Sequence, residues 1–240
     1  MSDPFGTNTV RVALVGATGL IGRRVIEIAS KGDEARILGI ARREAPLPPG
    51  ARMEMFVVEP AKWGEVIEAV RPAALICALG TTWKKAGRDE AAFRAVDQDL
   101  VIAVADAAKR AGVPNMVVIS AAGADASAKS LYMRVKGETE NALSRVGLKR
   151  LDILHPGLLR GERVSDWRFA ERAALLAAPL IDPLLSGSWE RYRSIDAALV
   201  AEAALGLALR RAGGRFVHDN EAMRRAARDW RRMSGKGETE

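Results

Sequence analysis

A tyrosine and a lysine four residues apart are the first residues in this sequence that could do chemistry together. Tyr132 and Lys136 lie in the segment YMRVK, and this spacing places both side chains on one face of a helix. The chain has only two tyrosines, so the placement is informative. An ammonium ion close to a phenol favours the phenolate, which allows proton exchange with a carbonyl or hydroxyl group near neutral pH. A chance pair on a helix surface is the alternative.

A serine precedes this pair by twelve residues. Ser120 ends the apolar run NMVVIS (115–120), which predicts a buried strand. Its hydroxyl group can orient a substrate oxygen, while Lys136 can also bind the ribose of a nicotinamide cofactor. We therefore predict that Ser120, Tyr132 and Lys136 are the catalytic residues.

Three glycines mark a turn that could hold a pyrophosphate. Gly16, Gly19 and Gly22 lie where the apolar run VRVALVG (10–16) gives way to a segment with helical spacing. Gly16 permits a tight turn, Gly19 lets the backbone approach a phosphate, and Gly22 allows close packing of helix and sheet. The free N–H groups at the start of the helix would then face the pyrophosphate. A purely structural turn is the alternative.

Two arginines bear on the choice of cofactor. NAD-binding chains often carry an acidic residue at the end of the second strand, where it binds the ribose 2′-hydroxyl group. This chain has Arg42 and Arg43 at the corresponding point. Because a guanidinium can pair bidentately with a 2′-phosphate, we predict NADP(H) rather than NAD(H). Ordinary surface charges are the alternative.

The elements that position these residues alternate along the chain. Apolar runs predict strands at 10–16, 35–43, 53–59, 73–80, 115–120, 150–157 and 215–218. Helical spacing predicts helices at 20–30, 61–70, 90–111, 129–146, 165–178, 195–211 and 219–233. Continuous apolar strands that alternate with helices indicate an α/β protein with a doubly wound parallel sheet.

Composition and charge narrow the classes of partner. The net charge is +7, but Lys and Arg are scattered and no nucleic-acid-binding motif is present, so we expect no nucleic-acid partner. The longest apolar stretch, 173–181, is far shorter than the roughly 20 residues of a membrane-spanning helix, so we expect no membrane partner. The single cysteine, Cys77, can build neither a disulfide nor a cysteine-based metal site, and no metal is expected. Since no signal peptide is recognisable, we expect a cytoplasmic protein.

At this point the chain resembles the short-chain dehydrogenase/reductase superfamily in its extended or atypical branch. It is most similar to the small Tat-interacting-protein-like oxidoreductases and to bacterial relatives labelled as nucleoside-diphosphate-sugar epimerases. The resemblance is carried by the segments GATGLIG, CALGTTWKKAG, FRAVDQDL, VVISAAGADASAKSLYMRVKGETE, HPGLLRGER and RFVHDNEAM. These segments cover nearly the whole chain.

The resemblance implies a fold and a set of site residues. It implies one NADP(H)-binding Rossmann domain over residues 1–240, in which 157–240 form mainly a substrate lobe and the C-terminal helices. It places Ser120, Tyr132 and Lys136 at the catalytic positions. It implies the cofactor-binding residues Gly16, Thr18, Gly19, Leu20, Ile21, Gly22, Arg42, Arg43, Leu79, Gly80 and Thr81, with Lys136 at the ribose.

Two departures from the family pattern bear on the site. Some relatives have a second serine where this chain has Ala121, which affects the residue that orients the substrate. Many relatives have Arg-Pro-Gly where this chain has His155, Pro156 and Gly157. We expect His155 and Pro156 near the nicotinamide, with a packed histidine at the strand end as the alternative. His218 is interpreted as a surface or strand residue.

The predicted function is an NADP(H)-dependent oxidoreductase that transfers a hydride to or from a small carbonyl or alcohol substrate. A nucleotide-sugar epimerase or dehydratase is one alternative, although only about 80 residues follow Gly157 for a substrate lobe. An NADPH-sensing binding protein with little turnover is another. The loop with Trp83, Lys84 and Lys85 could bind an anionic substrate or be a solvated basic loop. We expect a monomer or a homodimer.

Overall fold

A seven-stranded parallel sheet organises the residues that the computed structural model describes, which are 9–44, 47–49, 51, 53–160 and 192–235. The strands in chain order are β1 Val10–Val15, β2 Ala35–Ala41, β3 Glu54–Val57, β4 Ala74–Cys77, β5 Asn115–Ile119, β6 Arg150–Leu154, β7 Leu159–Arg160, β8 Ile195–Asp196 and β9 Gly214–His218. Strands β7 and β8 form a separate parallel pair, and the other seven form the main sheet.

The order of strands in the main sheet is β3-β2-β1-β4-β5-β6-β9, and each neighbouring pair is parallel. The chain moves outward from β1 to β2 and β3 and then returns to place β4 on the other side of β1. The direction of winding therefore reverses between β1 and β4, which is where open parallel sheets bind ligands. The predicted doubly wound α/β fold is confirmed.

Helices cover both faces of this sheet. They are α1 Leu20–Ala29, α2 Trp63–Val70, α3 Glu90–Arg94, α4 Leu100–Arg110, α5 Leu131–Leu143, α6 Ala197–Ala208 and α7 Asn220–Met233. One apolar core lies between the sheet and α1, α6 and α7, and a second lies between the sheet and α2, α4 and α5. Because both faces are covered, all five residues of β5 are buried, which explains its continuous apolar run.

Several predicted helices differ in detail from the structure. The predicted helix 195–211 begins with strand β8, Ile195–Asp196, and is helical only from Ala197, where α6 starts. The predicted helix 90–111 contains a π-helical turn, Ala95–Asp99, between α3 and α4. The spacing of Met223, Trp230 and Met233 puts all three on one face of the predicted helix 219–233; in α7 the first two are buried, but Met233 is 52% exposed at the last residue of the helix. The predicted helix 165–178 lies outside the described residues.

The C-terminal part of the chain contributes to the main sheet and its covering. Strand β9 pairs with β6, helix α6 packs against α1 and the sheet, and helix α7 packs against α6 and β9. Residues 161–191 of the predicted substrate lobe lie outside the described residues, so that the lobe stays a prediction. Among the described residues, no helix has the length and apolar character needed to cross a membrane.

Candidate functional site

The glycine turn lies at the reversal point of the sheet, between β1 and α1. Gly16 has φ +91°, and a Cβ there would lie 2.5 Å from the carbonyl oxygen of Ala78, which follows β4. A Cβ at Gly22 would overlap the carbonyl oxygen of Gly16, so both positions need glycine. Gly19 is the N-cap of α1 and provides no side-chain cap, which leaves N–H groups of the first turn for a ligand.

The other predicted cofactor residues follow the carboxyl ends of neighbouring strands. Arg42 and Arg43 come directly after β2 and are exposed. The three residues Leu79, Gly80 and Thr81 follow β4 in the same way. Thr18, Leu20 and Ile21 belong to the glycine turn and the start of α1, and His155 and Pro156 follow β6. Since the strands are parallel, the structure brings these residues to one edge of the sheet.

Helix α5 presents the predicted catalytic pair at this edge. The Nζ atom of Lys136 lies 5.9 Å from the centre of the Tyr132 ring. Lys136 is buried, with 6% of its surface exposed, whereas Tyr132 is 39% exposed. The ammonium group is thus enclosed in the protein, while the tyrosine ring is accessible to a ligand.

Asp97, a residue to which the sequence assigned no role, holds the ammonium group of Lys136. The Lys136 Nζ to Asp97 Oδ1 distance is 2.8 Å, and the backbone N–H of Thr81 donates to Oδ2 at 2.7 Å. Burial lowers the pKa of Lys136, but the charges of Asp97 and Tyr132 and the hydrogen bond to Asp97 outweigh it and raise the pKa above its usual value. Lys136 is therefore a fixed cation at neutral pH.

The position of Asp97 has a sequence signal that could have identified it. Asp97 lies four residues after Phe93 and four before Val101, so helical spacing puts it on a buried face. It is 1% exposed. A carboxylate on the apolar face of a predicted helix needs a cation partner. It lies in the π-helical turn, a feature frequent at functional sites.

Ser120 and His155 meet at Glu140, a second residue without a predicted role. The Ser120 hydroxyl donates a hydrogen bond to Glu140 Oε1, and His155 Nε2 lies 2.8 Å from the same oxygen. Glu140 is four residues after Lys136 on α5, so the spacing that identified Tyr132 and Lys136 could have extended to it. The partner of His155 in the structure is therefore a carboxylate.

An aromatic wall flanks Tyr132. The ring centres of Phe93 and Tyr132 are 5.9 Å apart, and those of Trp83 and Phe93 are 6.3 Å apart. Trp83 is exposed, as are Lys84 and Lys85 beside it in the loop after β4. Phe93 and Trp83 thus form an apolar surface beside the Tyr132 ring, and the positively charged Lys84 and Lys85 follow Trp83 in the chain.

His218 belongs to a different cluster. It ends β9, as the strand interpretation required, and its Nε2 atom lies 2.7 Å from Asp152 Oδ1. Asp152 also forms a bidentate pair with Arg150, and both are buried. This cluster lies within β6 and β9, so His218 is a packed residue and has no place among the cofactor residues.

Comparison with known proteins identifies the family of the chain. Residues 16–178 match the model of the family described as NAD(P)H-binding. The chain is 32% identical over 217 residues to "Protein fmp52, mitochondrial" of Emericella nidulans, which covers 88% of this chain and 92% of the relative. It is 31% identical over 202 residues to "Protein FMP52, mitochondrial" of Candida albicans, with 81% and 86% covered.

Solved structures show the same fold at low sequence identity. MoeE5 in complex with UDP-glucose and NAD superimposes with a TM-score of 0.66 at 16% identity, covering 86% of this chain and 74% of that chain. The UDP-glucose 4-epimerase of Thermus thermophilus, in complex with NAD, gives a TM-score of 0.63 at 20% identity, covering 94% and 84%. These likenesses support an NAD(P)-binding Rossmann fold.

The relatives overturn the predicted location. The absence of a recognisable signal peptide led us to expect a cytoplasmic protein, whereas the relatives from both fungi are named mitochondrial. The prediction of a cytoplasmic location is therefore wrong. A search for a secretory signal peptide does not test for import into mitochondria, which explains the error.

Proposed function

The chain belongs to the NAD(P)H-binding family, and we propose that it is an NADP(H)-dependent oxidoreductase acting on a small carbonyl or alcohol substrate. The observation that carries the proposal is the accessible Tyr132 ring beside the buried, ion-paired Lys136. Both lie at the edge of the sheet where the glycine turn opens. The resemblance to short-chain dehydrogenases/reductases of the Tat-interacting-protein-like type agrees with this assignment.

In this proposal the nicotinamide, when bound, supplies or accepts the hydride. Tyr132 donates its phenolic proton to a carbonyl oxygen during reduction and takes a proton from a hydroxyl group during oxidation. The positive charge of Lys136 stabilises the phenolate that forms, and Asp97 keeps this charge in place. The first turn of α1 binds the pyrophosphate, and Lys136 has further N–H groups for the ribose.

The preference for NADP(H) rests on Arg42 and Arg43. Both are exposed at the end of β2, where they are free to turn towards a 2′-phosphate. We expect the wild-type protein to bind NADPH more tightly than NADH in a fluorescence titration. Replacing both arginines by alanine would raise the Kd for NADPH about tenfold or more and leave the Kd for NADH nearly unchanged.

A variant with the same loss of charge elsewhere provides the control for that titration. Arg225 and Arg228 are exposed on α7, away from β2. Their replacement by alanine would change the Kd for NADPH less than about twofold, as expected for distant surface charges. Tighter binding of NADH than of NADPH by the wild-type protein contradicts the proposed cofactor.

The proposed redox chemistry is tested by Tyr132→Phe. Loss of the phenolic proton would lower NADPH-dependent turnover of a carbonyl panel by about 10²- to 10⁴-fold. The Kd for NADPH would change little, because the ring and Lys136 remain. If the wild-type protein binds NADPH and shows no Tyr132-dependent turnover, the proposal fails in favour of an NADPH-sensing protein.

A nucleotide-sugar epimerase is the second candidate. It is favoured by the likeness of the fold to MoeE5 and to the Thermus epimerase, which were solved with UDP-glucose and NAD or with NAD. Such an enzyme keeps its dinucleotide through the cycle and returns the hydride to the same sugar. Isomerisation of UDP-glucose by the protein without added NADPH would select this candidate over the first.

A further inference from the structure

The segment 90–99, which comprises α3 and the π-helical turn, has an inner side that contacts the predicted catalytic pair. Phe93 and Asp97 are four residues apart on this side, and both are buried. The Phe93 ring centre lies 5.9 Å from that of Tyr132, and Asp97 Oδ1 lies 2.8 Å from Lys136 Nζ. The position of the segment 90–99 on α5 therefore decides the surroundings of both catalytic side chains.

This segment has little stability of its own. Helix α3 has only five residues, and the turn that follows is π-helical, a rare form that occurs mostly as single turns inside α-helices. Besides the ion pair of Asp97 with Lys136, the Thr139 hydroxyl contacts the Asp97 carbonyl oxygen at 3.2 Å. The same hydroxyl lies 2.7 Å from the carbonyl oxygen of Val135 in its own helix, and it has only one proton to donate. A further contact with α5 is therefore important for the segment.

Arg94 supplies this contact on the outer side of the segment. Its guanidinium donates to Glu138 Oε2 on α5 at 2.5 Å, to Gln98 Oε1 at 2.8 Å and to Glu90 Oε1 at 2.8 Å. The Gln98 Nε2 atom contacts the same Glu138 oxygen at 3.4 Å. The side chains of Arg94 and Glu138 are 26% and 32% exposed, so the network lies at the surface. One arginine thus joins α3, the π-helical turn and α5.

The Arg94–Glu138 pair is charged at neutral pH. The hydrogen bond from Arg94 lowers the pKa of Glu138 below its usual value. The hydrogen bonds to Glu138 and Glu90 raise the pKa of Arg94 in turn. A hydrogen bond between two ions is roughly twice as strong as one between neutral groups, and here three acceptors fix one planar guanidinium. Such a network holds its geometry better than an isolated surface ion pair.

We propose that Arg94 and Glu138 are positioning residues, which hold the segment 90–99 where it supports Tyr132 and Lys136. The inference rests on the redox function proposed for this pair. When the contact is lost, the segment moves away from α5 and the ammonium group is no longer fixed. The phenolate of Tyr132 is then less stabilised, although the substitution lies at the surface.

The titration of Tyr132 tests this inference without cofactor or substrate. The chain has two tyrosines, and labelling tyrosine with ¹³C at Cζ gives one NMR signal for each, which Tyr132→Phe assigns. We expect Arg94→Ala and Glu138→Gln both to move the midpoint of the Tyr132 titration to higher pH and to leave that of Tyr192 in place. Direct electrostatics predicts opposite directions, because one variant removes a positive and the other a negative charge. Opposite shifts, or the absence of a shift, overturn the inference.

A second ion pair between helices provides the control. Arg110 on α4 pairs with Glu68 on α2 at 2.8 Å and is exposed, so Arg110→Ala and Glu68→Gln should leave the Tyr132 midpoint unchanged. In an Asp97→Asn background, Arg94→Ala would move the midpoint little further, because both substitutions act on the same ammonium group. An undiminished further shift in that background overturns the inference.

Turnover separates this inference from the proposed function. In the NADPH assay, kcat of Arg94→Ala would fall about five- to tenfold, because a displaced catalytic group loses rate. The Kd for NADPH would change less, since the glycine turn is unaffected. Unchanged kcat overturns the inference. If the Tyr132 midpoint shifts as expected but the wild-type protein reduces no carbonyl compound, the proposed function fails and the positioning role stands.

Discussion

Two clusters that each contain a buried ion pair use similar residues in different ways. The site cluster consists of Tyr132, Lys136 and Asp97. The edge cluster lies on β6 and on β9, the last strand of the sheet, and consists of Arg150, Asp152 and His218. In the edge cluster Arg150 donates to both oxygens of Asp152 at 2.6 and 2.8 Å and to the carbonyl oxygen of Ala212 at 2.7 Å. His218 Nε2 also contacts Asp152, at 2.7 Å.

The two clusters differ in how many N–H groups of the cation donate to acceptors within the protein. The guanidinium of Arg150 is directed at protein acceptors, and it lies 4.4 Å from the centre of the Phe216 ring. The ammonium of Lys136 forms an ion pair with Asp97, and the neighbouring Tyr132 ring is open to solvent. A cluster closed on itself stabilises strands, whereas a cluster with an accessible ring and spare N–H groups is suited to a ligand.

The largest effect is expected when the edge cluster is broken. Asp152→Ala leaves the buried Arg150 without its partner, which would lower the free energy of unfolding by about 3–5 kcal/mol. Urea unfolding measures this change. Asp229→Ala, which removes an exposed partner of Arg210, is the control and would cost less than about 1 kcal/mol. A decrease in the free energy of unfolding of less than about 1 kcal/mol for Asp152→Ala would contradict a stabilising role of the edge cluster.

A smaller effect, on turnover, is expected from Asp97→Asn. The variant removes the charge that holds Lys136 and keeps an oxygen for the Thr81 N–H, so that the ammonium shifts and kcat falls about 10- to 100-fold. The NADPH assay of the proposed function measures it. Asp99→Asn, an exposed change two residues along, serves as the control. An unchanged kcat in Asp97→Asn would contradict a role of the site cluster in the proposed reaction.

The smallest effect concerns Cys77, which lies near the site cluster. Burial raises the pKa of its thiol to about 11, the charge of Lys136 lowers it and that of Asp97 raises it. Labelling of the native protein by iodoacetamide at pH 8 is therefore slow, because the thiol is buried and only about one thiol in 10³ is ionised. Asp97→Asn would lower this pKa and speed labelling a few-fold.

The edge cluster supplies the control for this labelling experiment. Asp152→Asn removes a buried carboxylate that is not among the groups that shift the pKa of the Cys77 thiol. Comparison at equal folded fraction then separates a change in the thiol from general loosening of the protein. Equal labelling rates for the two variants contradict electrostatic coupling between Asp97 and Cys77.

Much of the fold could be predicted because parallel strands buried on both faces leave a clear pattern. The apolar run of β5 predicts a buried strand, and the glycines at the start of α1 predict a tight turn. The structure contains both. Tyr132 and Lys136 share a helix face, so spacing alone placed them together. Their catalytic roles stay predictions that the Tyr132→Phe experiment tests.

The partners of these residues were harder to predict because they depend on contacts between distant segments. Helical spacing indicates that Asp97 is buried, but it reveals neither the π-helical turn in which Asp97 lies nor its partner Lys136 on another helix. Glu140 gains its importance from Ser120 and His155, which arrive from the ends of two different strands. The edge cluster joins β6 to β9, so neither strand alone indicates that Asp152 has a histidine partner.

Strand β9 has a further consequence for the way in which the chain is made. Asp152 and His218 are 66 residues apart, so a ribosome completes β6 long before its neighbour exists. During that interval the nascent chain has β6 as an open sheet edge, to which a strand of another molecule can add. Premature termination before Gly214 makes this state permanent. Truncated products of translation are therefore expected to aggregate, whereas in the chain that contains β9 this strand covers β6 and becomes the edge strand itself.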